Sequence, residues 1–142
     1  AYREYFATDA LMFHVPRTDG RLKNKAEVLV LRPATGVDTK PLAIAADFLL
    51  GHRVYGIAFD NRPLVVVTTP RGANRVYRSG THQFHAAAAE GRVLDEAGRS
   101  WFVEEDQLRG AFDSSMRLPR VPAHRAFWFA WYAQHPETLL IK

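Results

Sequence analysis

The sequence predicts an α+β domain, mostly β: an antiparallel sheet, rolled or partly closed, with one short helix at about 42–50 and an aromatic C-terminal helix at about 122–135. Three observations predict it. Short β-branched and aromatic runs recur along the chain with turn residues about every eight to twelve positions, which is the pattern of an antiparallel sheet. One run, PLVVVTT (63–69), is apolar without alternation, as expected of a strand covered on both faces at the centre of a sheet. The third is the segment AHRAFWFAWYAQH between Pro122 and Pro136, which places five rings in the six positions from Phe127 to Tyr132.

Taken in order, residues 1–26 read as an irregular N-terminal arm of a single domain spanning 1–142, with YREYF and LMFHV as apolar anchors between turn-prone TDA and TDG. EVLVLRP (27–33) is a strand ended by Pro33. In PLAIAADFLL the spacing of Leu42, Ala45, Ala46 and Leu49 suits a short helix, with Pro41 in its first turn and Gly51 as its stop. RVYGIAF (53–59) and PLVVVTT flank Asp60-Asn61-Arg62, which reads as a hairpin with a three-residue loop. RVYR (75–78), HQFH (82–85), RVLD (92–95) and SWFV (100–103) follow as short strands, separated by SG, EG and EAG. In the aromatic segment the rings cover more than half of a helical cylinder, and burying each is worth roughly 1.5–3 kcal/mol, so together they match the net stability of a domain. That favours a core over an exposed stacking platform, in which aromatics are interleaved with basic residues.

Composition bounds the function. With 142 residues, 47% hydrophobic and 24% charged, the chain is an ordinary globular domain that buries roughly 68–70% of its unfolded surface. No apolar run approaches the roughly 20 residues of a membrane-spanning helix. The chain does not open with a basic and then apolar leader, so any export signal is expected either to be already gone or to lie outside this sequence. Zero cysteines exclude disulfides, thiolate metal sites and thiol nucleophiles. The net charge of +4 is spread from Arg3 to Arg125 with density only at RLKNK (21–25) and Arg71–Arg78, which argues against nucleic-acid binding.

Several pieces, in order, resemble a bacterial family known as a domain of unknown function, DUF3179. They are RLKNKAEVLVL, KPLAIA where the family has a Tyr-Pro-Leu turn, RPLVVVTTP, DEAGRSW where members carry Asp, Gly-Ser and Trp, and the terminal WFAWYAQHPETLLI. The likeness covers nearly the full chain. Many members continue the buried strand with Cys-Pro-Leu-Cys-Gly-Thr, whereas this chain has Thr69-Pro70-Arg71-Gly72-Ala73, which removes any thiol-based role. The resemblance implies an exported or membrane-anchored, extracytoplasmic protein, and, since many members are longer, a mature or excised C-terminal unit. It implies no particular reaction.

The residues themselves contain no nucleophile elbow, phosphate loop, dinucleotide fingerprint or His-Glu-x-x-His pattern. His82 and His85, three apart on a strand, point to opposite faces and cannot chelate one ion. Glu104-Glu105-Asp106 reads as a solvated acidic turn, and His135 before Pro136 as a helix C-terminal histidine. The turn from Asp95 to Trp101 has a plain reading, hairpin chemistry with Trp101 packing inward, and a sharper one. In the sharper reading Arg71, after the central strand, meets that turn and builds a small pocket for a polar or anionic ligand with Asp95, Arg99, Ser100 and a histidine, His85 or His135. The leading expectation is therefore a binding or structural accessory module with no catalysis, cofactor or metal of its own, partnered by a small polar or anionic ligand or another envelope protein. The alternative is an enzyme, of hydrolase or redox-partner type, using the pocket near Arg71, Asp95 and Ser100.

Overall fold

In the computed structural model, residues 19–34, 39–85 and 91–142 are described; most of the predicted arm lies outside them. Along the chain run β1 (Glu27–Leu31), β2 (Leu42–Ala45), α1 (Ala46–Gly51), β3 (Val54–Phe59), β4 (Arg62–Thr68), β5 (Asn74–Arg78), β6 (Arg92–Leu94), β7 (Ser100–Val103), β8 (Gln107–Gly110), β9 (Arg117–Val121), β10 (His124–Phe127), α2 (Trp128–Gln134) and β11 (Leu139–Ile141). The described residues divide into two compact units, one of those up to Asp47 with His124–Lys142, the other of those from Phe48 to Ala123.

The first unit is a four-stranded sheet in the order β10-β1-β2-β11, antiparallel except for the parallel pair β2 and β11. Its core joins Val28, Val30 and Ala43 to Trp128 and Trp131 of α2. The ring-rich segment is thus interior packing: Trp128, Phe129 and Trp131 are buried, and Phe127 and Tyr132 are half-buried.

Both helices are shorter than the sequence suggests, for one reason. Leu42–Ala45, read as the first turn of a helix, is a strand buried at all four positions between β1 and β11. His124–Phe127, read as the start of the C-terminal helix, pairs instead with β1 from Glu27 to Val30. Four residues such as LAIA or HRAF are too short for periodicity to separate strand from helix, and the demand of β1 for a neighbour on each side decides it. The end of α2 falls where Pro136 required, with His135 as C-cap donating its N–H to the Trp131 carbonyl.

The second unit is a seven-stranded antiparallel sheet in the order β3-β4-β5-β9-β8-β7-β6. Val65 and Val67 of β4 share one core cluster with Tyr77, Leu108, Trp101 and Val93 of β6. In a flat sheet β4 and β6 would be about 24 Å apart, five strand spacings, so this shared core requires the sheet to curl, as a half-barrel does. β4 is buried on both faces, Val65 on one and Val66 on the other, as its unbroken apolar run predicts. It lies next to the edge strand β3, however, and not at the centre of the sheet. The HQFH segment contributes only one isolated bridge, His85 to Leu94.

The β3–β4 hairpin closes on two residues, not three, because Phe59 pairs with Arg62. Asp60 and Asn61 both have positive φ, 54° and 58°, the type I′ geometry whose twist matches that of the strands. Asn61→Ala is expected to cost about 1 kcal/mol in urea unfolding, the strain of a left-handed Cβ residue, while Asn61→Gly retains full stability; equal losses in the two would contradict this account of the turn.

Candidate functional site

The β6–β7 hairpin fixes the first group of predicted residues. Leu94 pairs with Ser100, and the intervening turn closes with Asp95 N–H donating to the Arg99 carbonyl at 2.9 Å and Gly98 N–H to the Asp95 carbonyl at 2.9 Å. Gly98 supplies the φ of 77° that this turn needs. The Asp95 carboxylate is fully buried and accepts four hydrogen bonds. Oδ1 takes the N–H groups of Ala97 and Arg99, each at 2.9 Å, while Oδ2 takes Arg99 Nε at 3.1 Å and Trp101 Nε1 at 2.9 Å. Burial alone would raise this carboxyl's pKa; the bonds from Trp101, Arg99 and Ala97 and the nearby guanidinium outweigh burial and hold it below the usual range.

Around Trp101 the aromatic contacts close in. His82, Phe84 and Phe112 meet its ring edge-on at 5.0, 5.5 and 5.5 Å, and the Arg99 guanidinium stacks 4.3 Å from the Phe112 centroid. Phe112 reaches this place because Gly110 opposite Trp101 has no side chain: a Cβ there would come within 2.8 Å of the Asp113 carbonyl and 3.1 Å of the Phe112 ring. His82 Nδ1 lies 2.8 Å from Glu96 Oε1, and the hydrogen bond from His82 holds the Glu96 pKa below its ordinary value.

His82, Asp95 and Glu96 bring one potential ligand atom each to within 4.8 Å of one another. Their bonding argues against a metal centre. A carboxylate has about four lone-pair sites, and the four donors on Asp95 occupy them, so only His82 and Glu96, already bonded to each other, could turn to an ion. Ser100 fares no better as a nucleophile. Its Oγ is buried with no hydrogen-bond partner, so no base among the described residues reaches it.

None of the remaining predicted residues takes part in the hydrogen bonds of the Asp95 carboxylate. Arg71 is exposed in the turn that follows β4, and His85 is exposed with its N–H donated to the Leu94 carbonyl at 2.8 Å. His135 belongs to the first unit, where its ring centroid lies 4.0 Å from that of Trp131, tilted by 33°, and its Nδ1 lies 3.8 Å from Glu137.

The loop after β4 does meet the β6–β7 hairpin, at the Gly91 end and through Thr69 and Pro70, around a cavity of about 440 Å³. Val54, Val67, Val93 and Val103 form its apolar lining, and Arg53, Arg75 and Arg92 bring positive charge to it. Arg53 Nη1 donates to the Thr69 carbonyl at 3.0 Å, which fixes that guanidinium beside the loop. Arg92 lies 4.8 Å over the Phe102 ring. Arg75 pairs with Val67 across β4–β5 and so shares the concave face with Tyr77, beside whose hydroxyl it sits half-buried. Tyr77 in turn donates to the Glu104 carbonyl, and burial raises its pKa. Arg109 has a carboxylate partner in Glu104 at 3.0 Å. Among the described residues, Arg53, Arg75 and Arg92 form no ion pair.

A family model described as "Protein of unknown function (DUF3179)" matches residues 1–138. No curated protein and no solved structure matches the chain.

Proposed function

The chain belongs to the DUF3179 family, and from that premise we propose that it is a ligand-binding accessory module of the bacterial envelope with no catalysis of its own. One contrast carries the reading. The polar residues best suited to chemistry are consumed by structure, since Asp95 is saturated by four donors and Ser100 lacks a base. The arginines of the cavity at the Gly91 end of the same hairpin have no carboxylate to neutralise them among the described residues. A site that offers charge without an acid–base pair binds; it does not turn over. The envelope assignment rests on the exported character of the proteins the chain resembles. Among the described residues no helix is long and apolar enough to cross a membrane.

The test is a thermal-shift screen of small anions and neutral analogues run beside generic ester, phosphate and peptide substrates. Saturable stabilisation by anions that Arg75→Gln abolishes, with no turnover, is the expected result. Turnover of any substrate that disappears in Ser100→Ala would replace this reading with the hydrolase alternative. For the compartment, the native protein should be cleaved by protease added to intact spheroplasts; full protection would place it inside.

A further inference from the structure

Resting on the binding reading, we propose that the cavity between β3–β4 and β6–β7 takes an amphipathic monocarboxylate, an apolar chain ending in one anionic head. Two features define the ligand, and each excludes a neighbouring class. The four valines that line the cavity offer no hydrogen bond to a sugar or a polyanion, so the body of the ligand is apolar. Arg75 supplies the head group's partner. It projects from the concave face beside Val67, half-buried, where a guanidinium normally has a carboxylate to meet it.

The planar fork of Arg75 matches a carboxylate in a bidentate pair. Arg53, held at the mouth by the Thr69 carbonyl, keeps donors to spare and adds to the positive field. No acidic residue lies among the described residues lining the cavity, so nothing there competes for the guanidinium groups. The volume of about 440 Å³ falls in the roughly 300–1,000 Å³ range of small-molecule sites. A polyanion would have to set its further charges against the four valines. A neutral alcohol would leave the Arg75 guanidinium, whose neighbour is the Tyr77 hydroxyl, without a counter-charge.

Titration calorimetry with decanoate, decanol and acetate tests the assignment on the wild-type chain, Arg75→Gln, Val103→Phe and the exposed control Arg78→Gln. Decanoate is expected to bind saturably, with decanol and acetate at least tenfold weaker. Arg75→Gln should weaken decanoate at least tenfold, Val103→Phe should abolish it by filling the cavity, and Arg78→Gln should leave it unchanged; circular dichroism confirms that each variant is folded. Decanol binding as tightly as decanoate, or acetate as tightly, overturns the ligand class while the cavity remains a binding site. Decanoate binding that is indifferent to both Arg75→Gln and Val103→Phe overturns the site itself. Absence of binding by all three compounds overturns the carboxylate, and only the broader anion screen then decides whether the binding-module reading survives.

Discussion

Asp95→Ala will cost about 3–5 kcal/mol of unfolding free energy, the range for removing one partner of a buried charge network. The variant loses the acceptor for Trp101 Nε1, for the Ala97 and Arg99 N–H groups and for Arg99 Nε. It therefore orphans an indole N–H in the core of the curled sheet and two amides of the turn at once. Against a net stability of about 5–15 kcal/mol, this is enough to populate the unfolded state near body temperature. Asp95→Asn is the sharper probe, since it keeps the volume but must point its amide N–H₂ at a donor. Because the folded carboxyl titrates below its unfolded value, its stabilisation is complete above about pH 4 and drains away as the pH falls through the folded pKa. Urea midpoints should thus converge between wild type and Asp95→Asn as the pH is lowered below 4. Trp101→Phe, which removes one donor, should combine sub-additively with Asp95→Asn. Parallel pH profiles and additive losses would mean that the carboxylate is not the lock we describe.

That lock illustrates what the sequence can and cannot show. The turn itself was legible, because Asp, Ala-Gly and Ser between two apolar runs carry local hairpin chemistry, and Trp101 was expected to point inward. The bond from Trp101 to Asp95 was not, since it depends on the pairing of Val93 with Trp101, which sets the indole directly beneath the turn. β4 was legible as a strand buried on both faces because burial is written in its composition. Its place next to the edge was not, since strand order depends on which distant segment pairs with β5, and β9 does so from beyond the acidic turn. The pairing of His82 with Glu96 is hidden in the sequence for the same reason. Arg75 could have been found only with the register in hand: alternation puts it on the face of Tyr77, and only the pairing with Val67 shows that face to be the inside.

Trp131→Ala is expected to produce a loss of similar size, about 3–5 kcal/mol, for emptying a buried indole site, and its most visible effect should fall on the C-terminal strand. β11 has three residues and pairs with β2 as a parallel edge, too short to hold its place by ladder bonds alone. Its anchor lies just before it. Buried Thr138 accepts Trp131 Nε1 at 2.9 Å, donates its hydroxyl to the Pro41 carbonyl at 3.1 Å, and is followed by Leu139 N–H donating to the same carbonyl at 2.9 Å. The indole is braced on its other sides by His135 at 4.0 Å, His124 at 6.2 Å and the Arg32 guanidinium at 5.7 Å. Thr138→Val keeps the shape and removes the hydroxyl, leaving the indole N–H unsatisfied at a cost of about 1–3 kcal/mol. Hydrogen exchange separates this anchor from generic core loss. In Thr138→Val the amides of Leu139–Ile141 should exchange at least tenfold faster while those of β1 keep their protection, because the strand opens locally before the sheet does. If both strands lose protection together, β11 is held by the core as a whole and the Trp131–Thr138–Pro41 chain is incidental to it.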